Sequence, residues 1–442
     1  MPLRSLRSSL ALAAALAGLG AAAQEVSDPR VNSPFSRLGI GDLAREGYAT
    51  QAAMGGVGLA YADRHIANPM NPASLGALRF ATYQVGVDVS RERLSGGGVE
   101  TDGIGGNLGY LSLAFTTRNT LNDLLDARRR RVRYATLLSV TPYASQGYNI
   151  ALAAEQPEIG LVTNEFLGTG GFYRLRSAHA IELDARLRLG LSASYLFGRT
   201  NERSRVSTGD LATSTTITDD LSVRVRGFEL GAGVQRDLVL AREDDRTTHA
   251  LTLGGTFRYT SDLTGAGTRT ISRVNAFGAR DTLDAGDGGT QQRLTMPLGF
   301  GLGVAYKQPG KLQLGADLEY ATWDRFRNSR RPDERLTSGY RVAVGGEWVP
   351  NIQAYNKYHL QVRYRFGAYL RQDPRPGVTS DRGLTLGVGL PIVRPREELS
   401  YVNLSINAGN LVTPGDIDQR YLRLTVGFAL TDNSWFYKRR FQ

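Results

Sequence analysis

Beyond its first eighty residues, the chain alternates between apolar and polar positions with a period of two. In residues 294–306, LTMPLGFGLGVAY, the side chains of Phe300, Leu302 and Val304 share one face, and the opposite face carries mostly glycine. Successive side chains of a β-strand point to opposite faces, so a period of two is typical of strands. The pattern therefore predicts strands with one apolar face and one small or polar face.

About fourteen such segments follow one another, set off by Gly, Pro, Asn or Asp, and bacterial outer-membrane barrels have an even number of strands. They span residues 80–90, 107–117, 131–144, 165–184, 187–205, 218–237, 248–261, 291–307, 311–324, 337–349, 357–371, 382–392, 399–409 and 420–431. The fold class predicted is all-β, a transmembrane antiparallel barrel. Long polar hairpin connections are expected at 91–106, 145–164, 206–217, 262–290 and 372–381, with short turns at the other end.

A soluble β-sandwich also alternates, with its apolar residues turned inward. Two features favour a membrane barrel instead. The segments are long enough to cross a bilayer as tilted strands, and aromatic residues such as Tyr306, Trp323, Trp348 and Tyr369 recur near their ends. A closed barrel also satisfies every backbone hydrogen-bonding group in lipid.

The first residues, MPLRSLRSSLALAAALAGLGAAAQE, combine basic residues, an apolar run and small residues. This composition predicts a secretory signal peptide over 1–23 and an exported mature chain. We therefore expect four parts: the signal peptide, an N-terminal plug over 24–79, a barrel over 80–431 and a periplasmic tail over 432–442. The expected location is the outer membrane of a Gram-negative bacterium, with both barrel ends of the chain on the periplasmic side.

The net charge of +11 suggests an anionic neighbour. Nucleic acid is not an expected partner of an exported protein, so outer-membrane lipid and lipopolysaccharide are expected instead. The run Arg128–Arg131 lies in an amphipathic connection, 118–130, on the periplasmic side. It is either a solvated insertion or a contact for anionic head groups or a periplasmic partner.

Residues 54–78, MGGVGLAYADRHIANPMNPASLGAL, join a Gly-rich run to an Asn-Pro-Ala turn just before the first strand. This stretch resembles the N-terminal segment of the FadL-type outer-membrane transporters of hydrophobic compounds, in which it folds inside the barrel as a hatch. The matching positions are Gly55, Gly56, Gly58, Ala62, Asp63, Asn71, Pro72 and Ala73. The resemblance implies that Asn71-Pro72-Ala73 anchors the hatch and that the glycines allow close backbone approach.

Residues 141–150, TPYASQGYNI, resemble the element that ends strand three in that family, where a kink makes a side opening in the wall. Pro142 lacks an N–H and cannot donate to a strand ladder, so a local break at Pro142–Tyr143 is expected on chemical grounds as well. An ordinary N-terminal loop with a turn is the alternative to the hatch.

Charged residues on the inner faces of three consecutive segments form a predicted lumen patch. Its members are Asp317, Glu319, Arg341, Glu347, Arg363 and Arg365. The patch either lines a solute path or holds the hatch, or its members pair with one another to make a polar lumen tolerable. A selective anion pore would carry one sign of charge only.

Neither a metal site nor an active site is predicted. Cysteine is absent, and the four histidines have no ligand partners at metal spacing. We expect no enzyme activity and no cofactor. The function expected from the resemblance is passive uptake of small hydrophobic compounds such as fatty acids. The alternatives are a docking barrel in a secretion or assembly complex, as in type IX secretion, and a general porin.

Overall fold

The computed structural model describes residues 33–432 except 97, 118–130, 158–159, 185, 209–214, 244–245, 276, 355, 395–397 and 414–417. The predicted signal peptide, the connection 118–130 and all but the first residue of the predicted tail lie outside the described residues. So do residues 24–32 of the predicted plug.

Strands in the described part of the chain form one antiparallel sheet that closes on itself. The closing contact is the ladder between the last and first strands, which runs from Asp432–Ala81 to Asp418–Ser95. Two of the fourteen strands are interrupted, at Ser261-Asp262 and at Met296-Pro297. The prediction of a barrel of about fourteen antiparallel strands is confirmed.

The strands are numbered here in chain order. They are β1 Ala81–Gly96, β2 Val99–Thr116, β3 Val132–Gln156, β4 Gly160–Leu183, β5 Leu187–Thr208, β6 Thr216–Glu243, β7 Arg246–Thr260 and Leu263–Val274, β8 Arg280–Thr295 and Leu298–Gln308, β9 Leu312–Ala321, β10 Gly339–Trp348, β11 Arg363–Arg371, β12 Ser380–Arg394, β13 Glu398–Val412 and β14 Asp418–Asp432.

Short elements complete the fold. The helices are α1 Ala49–Ala53 and α2 Tyr358–Gln361, and the 3-10 helices are Pro34–Arg37, Pro72–Ala77 and Trp323–Arg325. Two-residue strands occur at Asp42–Leu43 and Arg327–Asn328. No helix of the described residues is both long and apolar enough to cross a membrane.

The apolar faces point outward, as the alternation predicts. Phe300 and Leu302 in β8 are 46% and 67% exposed, whereas Asp317 in β9 and Arg363 in β11 are 3% and 6% exposed. The glycines between the apolar residues of β8 face the interior, where a Cβ on Gly303 would meet Leu59 at 2.7 Å. The outer surface is therefore apolar, and the interior holds the charges.

The two ends of the barrel differ. At one end, here called the terminal end, β14 finishes beside the start of β1. At the other end, here called the ribbon end, strand pairs continue well past the apolar band. Residues 91–106, 145–164 and 262–290, expected as long polar hairpin connections, are mostly strand and belong to β1–β4, β7 and β8. These residues show no continuous apolar alternation, and cross-strand ion pairs such as Arg93–Asp102 at 3.0 Å stabilise them instead.

One predicted strand begins late. Residues 358–361 form α2 instead of extending β11, and Val362 is buried, not lipid-facing. The amide of Asn351 donates to the carbonyl of Leu360 at 2.8 Å, so the chain turns back on itself at this point before β11 starts at Arg363.

Residues 33–80, called here the inner segment, cross the interior. Its helix α1 contacts β11–β14, and its 3-10 helix Pro72–Ala77 contacts β3–β6. These strands lie on different sides of a closed ring, so the segment that contacts both runs through the lumen. Many of its side chains are almost fully buried, among them Tyr48, Met54, Tyr61 and Leu75.

Replacing Leu302 by Arg should lower the free energy of unfolding in lipid by about 2–4 kcal/mol, because a guanidinium would enter hydrocarbon. Denaturant titration of the refolded barrel in lipid vesicles measures this change. Leu302→Ala, which removes apolar area without adding charge, is the control and should cost less. Equal stability of the two variants would show that Leu302 does not face lipid.

Candidate functional site in the barrel lumen

Glycines let the inner segment lie directly on the barrel wall. Gly55 and Gly56 have φ of 69° and 80°, a left-handed conformation that favours glycine. A Cβ on Gly55 would meet the Ala368 carbonyl oxygen at 2.8 Å, and a Cβ on Gly56 would meet the Arg341 guanidinium. Gly58 lies against Met70. Of the three glycines chosen from the sequence, Gly55 and Gly56 therefore sit where a larger residue would be strained, whereas Gly58 packs within the inner segment.

The Asn71-Pro72-Ala73 turn joins the inner segment to β5 and β6. The Asn71 side chain accepts from the Ala73 amide at 3.0 Å and donates to the carbonyls of Leu59 and Val234 at 2.8 and 3.2 Å. Pro72 lies against Gly190 and Gly233, where no wall side chain intervenes. Asn71 thus links two parts of the inner segment to each other and to the wall.

Three members of the predicted lumen patch bond to the backbone of the inner segment or support such a bond. Asp317 accepts from the amides of Gly58 and Leu59 at 2.6 and 2.8 Å. Arg341 donates to the Gly55 carbonyl at 2.6 Å and pairs with Glu319. From β12, Thr385 accepts from the Gly55 amide at 2.7 Å.

The other three members pair mainly with one another. Arg365 bonds to Glu347 at 2.7 Å, and Arg363 bonds to Glu347 at 3.3 Å and to Asp63 of the inner segment at 2.7 Å. Burial raises the pKa of Asp63, but Arg363 and His65 outweigh burial and hold this pKa well below its usual range. The patch therefore combines both roles considered from the sequence, mutual pairing and attachment of the inner segment.

A second charged cluster was not predicted from the sequence. Arg174 and Arg176 of β4 bond to Glu229 of β6 at 3.0 and 3.1 Å, and Arg176 also donates to the Pro69 carbonyl at 2.6 Å. Arg174 and Arg258 of β7 both pair with Glu46. The available signal was the Arg-Leu-Arg alternation at 174–176, which places two arginines on the inner face of one strand.

The barrel wall is interrupted between β2 and β3. Their ladder runs from Thr116–Ala135 to Leu111–Val140 and ends there. Beyond this point β2 remains paired with β1, and β3 remains paired with β4, with a register shift between Pro142 and Ala144. Pro142 and Tyr143 thus lie at the base of a slit that extends to the ribbon end, and the Tyr143 side chain is buried.

Residues 42–47, called here the strap, cover the base of the slit from inside. Asp42 and Leu43 pair with Ser145 and Ala144 of β3, and the Ala44 amide donates to the Tyr143 carbonyl at 3.0 Å. The strap thus occupies an edge that β2 leaves free.

Two adjacent strap residues bond to different parts of the wall. Arg45 donates to the hydroxyls of Tyr369 and Tyr421 at 2.6 and 2.7 Å, and Glu46 pairs with Arg174 and Arg258. Cavities of about 190 and 160 Å³ border the strap, and Pro142 lines both. The strap is therefore the part of the inner segment that separates the lumen from the slit.

Within the described residues, no group of three or more His, Asp or Glu side chains is arranged to hold a metal ion.

Replacing Asp317 by Asn should loosen the inner segment, because the Gly58 and Leu59 amides both donate to one carboxylate oxygen and a neutral amide oxygen is a weaker acceptor. Hydrogen–deuterium exchange of these two amides should accelerate about tenfold or more. Asp102→Asn, at an exposed ion pair of the ribbon end, is the control and should leave both amides protected. Unchanged exchange in Asp317→Asn would mean that the carboxylate does not hold the segment.

The sequence was compared with protein families and with curated proteins, and the fold was compared with solved structures. A family model described as BamG matches residues 6–442. No curated protein matches the sequence.

Several solved structures share the fold. The toluene transporter TodX of P. putida has a TM-score of 0.57 at 19% identity, over 88% of this chain and 99% of that one. The Ralstonia pickettii toluene transporter TbuX has a TM-score of 0.56 at 14% identity, over 88% and 98%. A Pseudomonas aeruginosa FadL homologue has a TM-score of 0.55 at 12% identity, over 90% and 100%.

Proposed function

The chain belongs to the BamG family, and on the basis of its interrupted barrel wall we propose that it takes up small hydrophobic compounds across the outer membrane. The observation that carries the proposal is the slit between β2 and β3, which meets the strap and the two lumen cavities at Pro142. A slit in a lipid-facing wall gives an apolar compound a way out of the lumen that avoids the periplasm. The fold shared with toluene transporters supports this assignment.

The proposed orientation puts the ribbon end outside the cell, because bacterial barrels have short periplasmic turns and longer outer connections. The ribbon end also holds an apolar core that a hydrophobic compound would meet first. This core includes Ile40, Phe172, Trp323, Phe326 and Leu336. Residues 322–338 close over it, where Arg331 donates to the Arg37 carbonyl at 2.7 Å and Glu334 accepts from the Gly39 amide at 2.6 Å.

We propose that the inner segment is a plug in which the strap moves and the remainder stays fixed. Residues 55–73 are attached through backbone groups to side chains that include Thr385, Asp317 and Arg341. The strap is held by a two-residue ladder to β3, by the Ala44 amide and by side-chain bonds of Asp42, Arg45 and Glu46, a smaller set of contacts. Breaking the contacts of the strap requires less free energy than breaking those of residues 55–73. Opening at the strap therefore joins the two cavities to the slit.

Fatty acids are the class of solute that the charged lining favours. Arg174 and Arg258 hold the Glu46 carboxylate beside the buried ring of Tyr143, with the Arg174 guanidinium 4.6 Å from the ring centre. A solute with a carboxylate and an apolar tail would satisfy both arginines when Glu46 leaves them. A purely apolar solute would leave Arg258 without an ion-pair partner among the described residues, whereas Arg174 would keep Glu229.

A docking barrel for a secretion or assembly complex is the second candidate. It is favoured by the filled lumen, since the cavities beside the strap are small and charged. A partner protein retained at equal amounts through purification would support docking. Solute uptake that depends on the strap and the slit would support transport.

Replacing Pro142 by Val should slow uptake, because valine supplies the N–H that lets the β2–β3 ladder continue past Leu111–Val140. Uptake of radiolabelled oleate by cells that express each variant measures the effect. Heat-modifiable migration on gels verifies that the variant forms the barrel. Uptake at the wild-type rate in a correctly folded Pro142→Val variant would rule out exit through the slit.

A disulfide between Leu43→Cys and Ala144→Cys should abolish uptake, since it ties the strap to the edge it covers. The two positions are direct partners in the β3 pairing, and the chain has no cysteine of its own to interfere. Reduction should restore transport, and each single cysteine variant should transport normally. Full uptake in the oxidised double variant would mean that the strap does not gate.

A further inference from the structure

Outward-facing aromatic residues give way to arginines near the ribbon end of β4–β8. One row of cross-strand partners reads Tyr173–Phe197–Arg226–Thr264–Arg293, and the next row towards the ribbon end reads Gly171–Arg199–Arg224–Ala266–Gln291. Partners directly opposite each other in antiparallel strands project to the same face. Tyr173 and Phe197 are 45% and 37% exposed, so this face looks away from the lumen.

Among the described residues, the arginines of this cluster have no acidic partner. Arg199, Arg224, Arg226 and Arg293 are exposed, and among the described residues none of them forms an ion pair. Arg199 and Arg224 lie directly opposite each other, an arrangement of like charges that destabilises a sheet. An anion between them would remove that repulsion.

Arginines farther along the same ribbons are paired. Arg203 bonds to Asp220 at 2.6 Å, and Arg205 bonds to Glu165 at 3.1 Å. Arg203 and Arg205 share the outward face with Arg199, since they follow it at intervals of two. Among the described residues of these strands, the arginines without a carboxylate partner therefore lie at the level where the outward-facing aromatic residues end.

We propose that this outward face, between Tyr173 and Arg224, binds the phosphate of an anionic glycolipid of the outer leaflet, of the lipid A class. Arg199, Arg224 and Arg226 contact the phosphate, because a guanidinium matches phosphate oxygens with two parallel donors. The acyl chains lie on the aromatic residues below, which include Tyr195 and Phe228. An open groove of about 1720 Å³ borders the arginines together with Tyr173, Tyr195 and Phe197.

The position favours a lipid over a soluble anion. A phosphorylated lipid presents charge directly above hydrocarbon, and the arginine row lies directly above an exposed aromatic row. A free phosphate would use the arginines and leave the aromatic residues without a role. This site requires the ribbon end to lie outside the cell, and it does not require that the barrel transports anything.

The test uses the full chain in non-ionic detergent, titrated with bisphosphorylated lipid A, with enzymatically dephosphorylated lipid A and with inorganic phosphate. Native mass spectrometry counts the bound lipid. Wild type should bind the phosphorylated form about tenfold or more tightly than the dephosphorylated form. Each arginine beside an anionic lipid head group adds to the free energy of binding. Inorganic phosphate at millimolar concentration should not displace the lipid.

The decisive variant is R199Q/R224Q, which should lose most of the preference for the phosphorylated form. R203Q/R205Q removes the same number of charges from the same face and should keep the preference. R199K/R224K, which retains charge but loses the paired donors, should fall between them. Equal binding by R199Q/R224Q and wild type would overturn the proposal, as would displacement of the lipid by inorganic phosphate.

Discussion

Backbone hydrogen bonding in the absence of water is the constraint on which this structure depends. In hydrocarbon each unsatisfied N–H or C=O costs several kcal/mol, so the strands must close into a ring. A ring of fourteen strands encloses more space than the side chains of its own wall fill. The inner segment occupies that space and brings its own backbone groups, which need partners in turn. Side chains of the wall supply several of them, as Asp317 does for Gly58 and Leu59.

The slit between β2 and β3 is where the wall itself departs from this rule. A free strand edge exposes a row of unsatisfied backbone groups. Here the inner segment covers the part of the β3 edge that lies nearest to the end of the β2–β3 ladder. Ser33 donates to the Gly147 carbonyl at 2.9 Å, and the Gly147 amide donates to the Ser36 hydroxyl at 3.1 Å. With the strap residues at Ala144 and Ser145, these contacts replace a missing strand. The cover is shorter than a strand, so it is the weakest part of the wall.

The features that depend on local periodicity could be predicted from the sequence. The alternation in β8 and β9 assigned Phe300 outward and Asp317 inward, because the side-chain period of a strand admits only two faces. Gly55, Gly56, Gly58 and the Asn71-Pro72-Ala73 turn were chosen from the resemblance to the FadL-type hatch, and close approach and turns restrict the residue types allowed at such positions.

What the sequence did not predict depends on residues far apart in the chain. Glu46 and Arg174 are 128 positions apart, and nothing in either neighbourhood indicates the other. The ribbons were predicted as loops because strands outside lipid need no apolar face, and pairs such as Arg269 with Asp219 hold them together. The four outward arginines of β5, β6 and β8 followed the same strand period as the lipid-facing residues. Only the strand pairing shows that two of them oppose each other.

The most direct test of the account is a spin-label scan of residues 402–408 in β13, one position at a time, in lipid vesicles. The account places Val402, Leu404, Ile406 and Ala408 against lipid, and it places Asn403, Ser405 and Asn407 against a filled lumen. Oxygen should relax the labels most strongly at the even positions, and a water-soluble nickel chelate should reach the odd positions poorly. Oxygen access that peaks at the odd positions, or free access of the chelate to them, would contradict a lipid-facing apolar surface around a chain-filled lumen.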